Sequence, residues 1–358
     1  MEQQDIFFET GGGVGRITLN RPKVLNALSF AQVEAMLAKL REWAKEPSIR
    51  AVVIAATGEK AFCAGGDIRA MYEAGKAGNL QFLTDFYGTE YQLNRLIKTY
   101  PKPYVALMDG IVMGGGAGIS IHGSHRVVTE RTLFAMPETS IGFFPDVGGT
   151  YFLSRCPGAV GTYLALTSAR LKAADLLHLG LATHFVPAAR MEELAEALSV
   201  ADDITQEQAF SAFSCMIEMY QEEAPGEAEM ILHRAAIDRC FAKRTVPEII
   251  AALKEEKSAW AEETLAQLAQ KSPTSLMVTL RQMQAGAMID FDKAMILEYR
   301  LSQRFMRGHD FYEGVRALLV DKDHAPRWQP ASLEEIDPSE VDAYFRPLDG
   351  GDLTLIEL

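Results

Sequence analysis

Positive charge is in short supply along this chain. Lys and Arg number 35 against 48 Asp and Glu, for a net charge of −13. With no basic stripe to offset that balance, nucleic acid and anionic membrane are disfavoured as partners, although a few local Lys and Arg residues would suffice for an anionic small ligand. Long apolar runs are also missing, so no segment is expected to span a bilayer. Cysteine is sparse. Cys63, Cys156, Cys215 and Cys240 fall into no CxxC or zinc-ligand spacing and read as free, mostly buried thiols in a reducing compartment. His122, His125, His178 and His184 share no helical face and form no HExxH, which argues against a metal site. His122 reads instead as a hydrogen-bonded core histidine. The opening MEQQDIFFET has neither the basic start and apolar segment of a signal peptide nor the Arg and Ser of a transit peptide, and the expectation is a cytoplasmic protein.

What is present suits a large globular chain. At 358 residues and 48% hydrophobic, it can bury a sizeable core in one or two domains. Short apolar runs alternate with helical periods through the first two hundred residues. Ala51–Ala55 reads as a strand covered on both faces, and the apolar run Tyr104–Met108 as another strand. Ser29 with Gln32 makes a capping box ahead of a helix, and 82–98 reads as another. This strand–helix alternation predicts an α/β fold. Beyond about residue 190, glycine thins out, strands cease and helical periods take over, among them one helix over 246–270. A boundary near 200 separates a core, 1–200, from a helical C-terminal region with its tail, 201–358.

Three motifs carry the chemistry. AFCAGGDIRAM (61–71) and GIVMGGGAGIS (110–120) are glycine loops, each readable as a strand-to-helix turn or as a place where backbone N–H groups meet a ligand. The second lacks the Lys-Ser/Thr of a phosphate-binding P-loop and fits the dinucleotide fingerprint poorly. MPETSIGFFPDVGG (136–149) sets Glu138 and Asp146 among apolar neighbours. Carboxylates so placed are costly to desolvate unless paired or used, and burial would raise their pKa toward the range of acid–base work. Asp146 taken alone reads more readily as an exposed loop carboxylate or a helix cap.

Taken in order, NRPKVLNALS (20–29), AFCAGGDI, KPYVALMDGIVMGGGAGIS and MPETSIGFFPDVGGTYFLSR resemble the crotonase (enoyl-CoA hydratase/isomerase) superfamily. TEYQLN (89–94), SPTSLMVTLRQM and EYRLSQRFMRGHDFYEGVRALLVDKD narrow the resemblance to its hydrolase branch, over nearly the whole chain. The resemblance implies a crotonase-like spiral of ββα turns with an α-helical C-terminal region. It also implies hydrolysis of a short branched 3-hydroxyacyl-CoA thioester, by preference 3-hydroxyisobutyryl-CoA from valine breakdown.

By motif position, the N–H groups of Gly66 and Gly115 would form the oxyanion hole. Glu138 and Asp146 would be catalytic, and Glu90 would join them and Gly115 in holding the acyl group. Lys23, Val24, Ala64, Asp67 and Lys322 would lie along the CoA. No metal or redox cofactor is implied, since CoA belongs to the substrate, and the resemblance implies a homo-oligomer, a trimer. The superfamily's hydratases carry one glutamate where this chain has Gly118. That turns the reading from water addition toward thioester cleavage and leaves an enoyl-CoA hydratase or isomerase as the alternative.

Overall fold

The computed structural model describes residues 4–357. Nine strands are β1 (Ile6–Gly11), β2 (Val14–Leu19), β3 (Ala51–Ala56), β4 (Ala61–Cys63), β5 (Tyr104–Met108), β6 (Ile111–Met113), β7 (His125–Val128), β8 (Leu133–Ala135) and β9 (His184–Phe185). They sort into a six-stranded sheet, β1-β2-β3-β5-β7-β9, and a three-stranded sheet, β4-β6-β8. Only β1 and β2 run antiparallel, joined through Gly12 and Gly13; the other pairs are parallel. From β3 to β8 each circuit of the chain adds one strand to the large sheet and one to the small, which is the expected spiral.

The apolar runs follow from this layering. In β3, Val52 and Ile54 face one hydrophobic cluster while Ala51 and Val53 face another; in β5, Ala106 and Met108 are divided from Val105 and Leu107 in the same way. A sheet covered on both faces has no polar side to display. The larger cluster extends from Ile6 to Val341, so side chains on either side of residue 200 share one core.

Four early helices matter for the site: α1 (Phe30–Lys45), α2 (Ile68–Lys76), α3 (Leu80–Lys98) and the single turn α4 (Gly115–Gly118). The capping box forms at α1, where Ser29 Oγ accepts from Gln32 N–H and Gln32 Oε1 accepts from Ser29 N–H. The buried stripe of α3 includes Leu83, Phe86, Tyr87, Glu90, Tyr91, Asn94 and Ile97, a helical period that carries two tyrosines, an asparagine and a glutamate inward with the apolar side chains.

Two expectations need correction. AFC and IVM, read as parts of glycine loops, are β4 and β6; at three residues each they are too short for an alternating pattern to register. The single helix expected over 246–270 is two, Val246–Glu256 and Ala259–Leu268, because Lys257 turns left-handed at φ +52° and Ser258 Oγ caps the second. Among the described residues no strand follows β9, and no helix is long and apolar enough to cross a membrane.

Aromatic rings tie the 136–149 segment to the C-terminal helices. Phe305, in the helix Phe291–Phe305, lies 5.5 Å from Phe143 and 5.4 Å from Phe144 between ring centroids. Phe305→Ala is expected to lower unfolding free energy by about 3–5 kcal/mol in a urea titration, the usual cost of emptying a buried aromatic site. A loss under about 1 kcal/mol would show that this contact does not hold the two segments together.

Candidate active site

The small sheet delivers the site. Its strands are parallel, with one register shift between β4 and β6, and their carboxyl ends lie at the same edge: β4 runs into Gly65-Gly66, β6 into Gly114-Gly115, and β8 into Pro137-Glu138. Gly65 at φ +113° and Gly114 at φ +49° adopt conformations that suit glycine. A Cβ built on Gly115 would lie 3.1 Å from Gly66 N and 2.8 Å from Glu90 Oε1, so the two loops are in contact. The N–H groups of Gly66 and Gly115 donate to no protein acceptor among the described residues. Both glycines line a cavity of about 180 Å³ that Glu90, Glu138 and Asp146 also line. Its remaining wall is largely apolar, with Ile68, Met71, Ile141 and Phe143 inside and Leu318 and Leu319 at the rim.

Every carboxylate here is out of water. Glu90 is 2%, Glu138 6% and Asp146 5% exposed. Glu138 Oε2 and Glu90 Oε1 have no hydrogen-bond partner. Burial, then the neighbouring carboxylates led by Asp146, pushes both glutamates well above the ordinary range. Asp146 Oδ2 accepts from the Tyr91 hydroxyl at 2.7 Å; burial raises this carboxyl to about 7, against that hydrogen bond.

The turn that carries Asp146 is strained and heavily tied down. Val147, a β-branched residue, sits at φ +49°, a conformation costing about 1–3 kcal/mol. Its carbonyl accepts from His122 Nε2–H at 2.7 Å; burial pushes that ring down to about 3 and keeps it neutral. Gln282 Nε2 donates to the Pro145 carbonyl at 2.6 Å and to Thr150 Oγ1 at 2.7 Å. Glu298 accepts from Gly148 N–H and Thr150 N–H, each at 2.8 Å.

Position 118, acidic in the hydratases, is physically closed. A Cβ on Gly118 would come within 2.7 Å of both Asn94 Nδ2 and Val147 Cβ. The strained valine and Asn94 fill the space that a second glutamate would need.

The structure thus gathers Gly66, Gly115, Glu90, Glu138, Asp146 and Ala64 around one cavity. Lys23, Val24, Asp67 and Lys322 do not line it. Lys23 and Val24 are exposed, beside Ala64 through the bond from Ala64 N–H to the Leu25 carbonyl. Asp67 caps α2 and pairs with Arg21 at 3.0 Å. Lys322 is exposed just beyond the Leu318–Leu319 rim.

Sequence reasoning passed over four residues. Tyr91, Gln282 and Glu298 stood within the quoted motifs without a role. Lys271, just past the helix expected over 246–270, donates Nζ to Ser140 Oγ at 2.5 Å and Ser168 Oγ at 3.1 Å; burial lowers it to about 8, with Glu138 pulling it back up. A charge inside the apolar stripe of a helix was the available signal for Glu298.

Comparison with known proteins extends this picture. The family model for enoyl-CoA hydratase/isomerase matches residues 14–345. A curated Gallus gallus relative, 3-hydroxyisobutyryl-CoA hydrolase, mitochondrial, is 48% identical over 98% of this chain and 91% of its own length. The Danio rerio protein of the same name is 49% identical over 98% and 92%. Among solved structures, a carnitinyl-CoA dehydratase from Mycobacterium thermoresistibile superposes with a TM-score of 0.90 at 40% identity, covering 98% of this chain and 99% of the other. The curated relatives are mitochondrial by name, which overturns the cytoplasmic expectation. That expectation rested on the composition of ten residues, a weak measure of destination when address segments are removed.

Carboxyl titration by 13C NMR is expected to find an apparent pKa of about 7 for Asp146 and a raised value for Glu138. Asp146→Asn removes a neighbouring negative charge and should move Glu138 down. Glu138 titrating at the ordinary 4.5 in both proteins would contradict the mutual repulsion described here.

Proposed function

This chain belongs to the enoyl-CoA hydratase/isomerase family, and from that membership we propose that it hydrolyses the thioester of 3-hydroxyisobutyryl-CoA to the free acid and CoA, a step of valine catabolism. The observation that carries the reading is the pairing of Glu138 with Asp146 across a backbone donor pair, with position 118 closed to a second glutamate. The curated relatives named as this hydrolase support it. The cavity, about 180 Å³, is small beside the roughly 300–1,000 Å³ of sites for larger ligands, which suits a short acyl group.

In the proposed chemistry the thioester oxygen sits between the N–H groups of Gly66 and Gly115, where growing negative charge meets preorganised donors. The unpartnered Glu138 oxygen attacks the carbonyl carbon. The C–S bond breaks, the sulfur leaves with its electron pair and takes up a proton, and water then cleaves the mixed anhydride. The geometry serves a direct route equally, with Glu138 taking the proton from water. Asp146, held by Tyr91, binds the substrate hydroxyl or orients the water, and Glu90 closes the hydroxyacyl end. The CoA leaves past Ala64 and the Leu318–Leu319 rim, toward Lys23, Val24, Asp67 and Lys322. Carboxylates, backbone donors and water are the only groups this scheme uses.

Thiol release from 3-hydroxyisobutyryl-CoA, set against loss of enoyl absorbance from crotonyl-CoA, separates this reading from a hydratase. Release is expected with the first substrate and to fall about 100-fold or more in Glu138→Ala. Release no faster in the wild type than in that variant would end the hydrolase reading. In 18O-water, label entering Glu138 marks the anhydride route; its absence from the enzyme counts against it. A trimer belongs to the same proposal, and light scattering should return three times the 39.5 kDa chain mass; a monomer mass would remove it.

A further inference from the structure

We propose that Glu298 is a positioning residue for this thioester chemistry: its carboxylate anchors the turn that aims Asp146. The inference rests on the hydrolase reading above for the role of Asp146.

Glu298 is fully buried, at 0% exposure, in the helix Phe291–Phe305. No cation pairs with it among the described residues. Both its oxygens are committed, Oε2 to Gly148 N–H and Oε1 to Thr150 N–H. These N–H groups stand immediately after the strained Val147, at the start of the short helix Gly149–Phe152, whose N-cap Gly148 has no side chain to cap with. A carboxylate offering one oxygen to each of two N–H groups does what an amide of the same size cannot, since an amide turns a donor toward one of them.

A buried, unpaired carboxylate is an expensive way to fasten a surface loop, and a hydrophobic side chain would fill the space at less cost. The expense fits a turn that must be held against its own strain so that Asp146, two residues earlier, meets the Tyr91 hydroxyl and the cavity. The helix bearing Glu298 also packs along α3, the source of Glu90 and Tyr91, so one body references three of the site's side chains. Burial raises Glu298 to about 8, against its two N–H bonds.

The test is a double-mutant cycle on the full chain, with thiol release from 3-hydroxyisobutyryl-CoA as the readout. Glu298→Gln should lower kcat about 10- to 100-fold, the scale of a misplaced reacting group, while KM stays within about twofold because the CoA-contacting loops lie elsewhere. If Glu298 acts through Asp146, Glu298→Gln added to Asp146→Asn should slow the enzyme by no more than a further twofold or so. Losses that multiply, or a rise in KM with kcat unchanged, would overturn the proposal.

Should Glu298→Gln fail to fold, Gln282→Met, which releases the same turn at Pro145, must show the same non-additivity with Asp146→Asn; multiplied losses there overturn it too. Amide exchange at Gly148 and Thr150 is independent of turnover and should quicken in Glu298→Gln; unchanged protection overturns the anchor. A wild type that releases no thiol overturns the hydrolase reading, and with it the claim that Glu298 serves that reaction. Thiol release with a multiplicative cycle overturns only the role given to Glu298.

Discussion

The constraint on which this structure depends is the removal of several carboxyl groups from water into one small region. Glu90, Glu138, Asp146 and Glu298 are all buried, and the other three all raise the proton affinity of Glu138. An isolated buried carboxylate would neutralise itself. Here the charge is divided by geometry. Glu298 receives two backbone N–H bonds and Asp146 one tyrosine hydroxyl, whereas Glu138 keeps one oxygen without a partner. Glu138, underpaired like Glu90, lines the same cavity as Gly66 and Gly115. An attacking or proton-accepting group has to be left underpaired, and the satisfied carboxylates around it raise its basicity.

The fold makes this arrangement affordable in two ways. Three parallel strands ending side by side place Gly66, Gly115 and Glu138 without long loops, so the ordering is shared with the sheet. The C-terminal helices then cover the segment that follows. Phe305 and Phe311 pack on Phe143, Gln282 reaches Pro145, and Glu298 reaches Gly148 and Thr150. The strain at Val147 survives because bonds from three separate elements fix its neighbours. The same valine helps close position 118, so the feature that aims Asp146 also removes the room for a hydratase's second glutamate.

Much of this was legible in the residues. Wholly apolar Ala51–Ala55 announced a strand covered on both faces, the apolar run Tyr104–Met108 announced another strand, and Ser29 with Gln32 announced the start of α1. Apolar-flanked Glu138 and Asp146 announced buried acids. Other parts were not legible, for local reasons. β4 and β6 are three residues long and look like loop. Lys257 breaks a helix by a left-handed residue that no periodicity reveals. Tyr91 and Gln282 sit in helical stripes where neighbours i+3 and i+4 are visible but the opposing surface is not. The N-terminal composition pointed to the cytoplasm, and the mitochondrial relatives correct it.

What the sequence determined by itself is therefore chemistry and local conformation: which residues must be glycine, which carboxylates are flanked by apolar side chains, and where strands and helices start. These depend on residue type and near neighbours, which the chain displays directly. What only the tertiary structure decided is partnership. That Tyr91 bonds Asp146, that Glu298 clamps a turn 150 residues earlier, and that Gly118 is walled in by Asn94 and Val147 are facts about surfaces meeting across the core. No local pattern encodes which surface meets which, because each helix presents the same apolar stripe whatever lies opposite it.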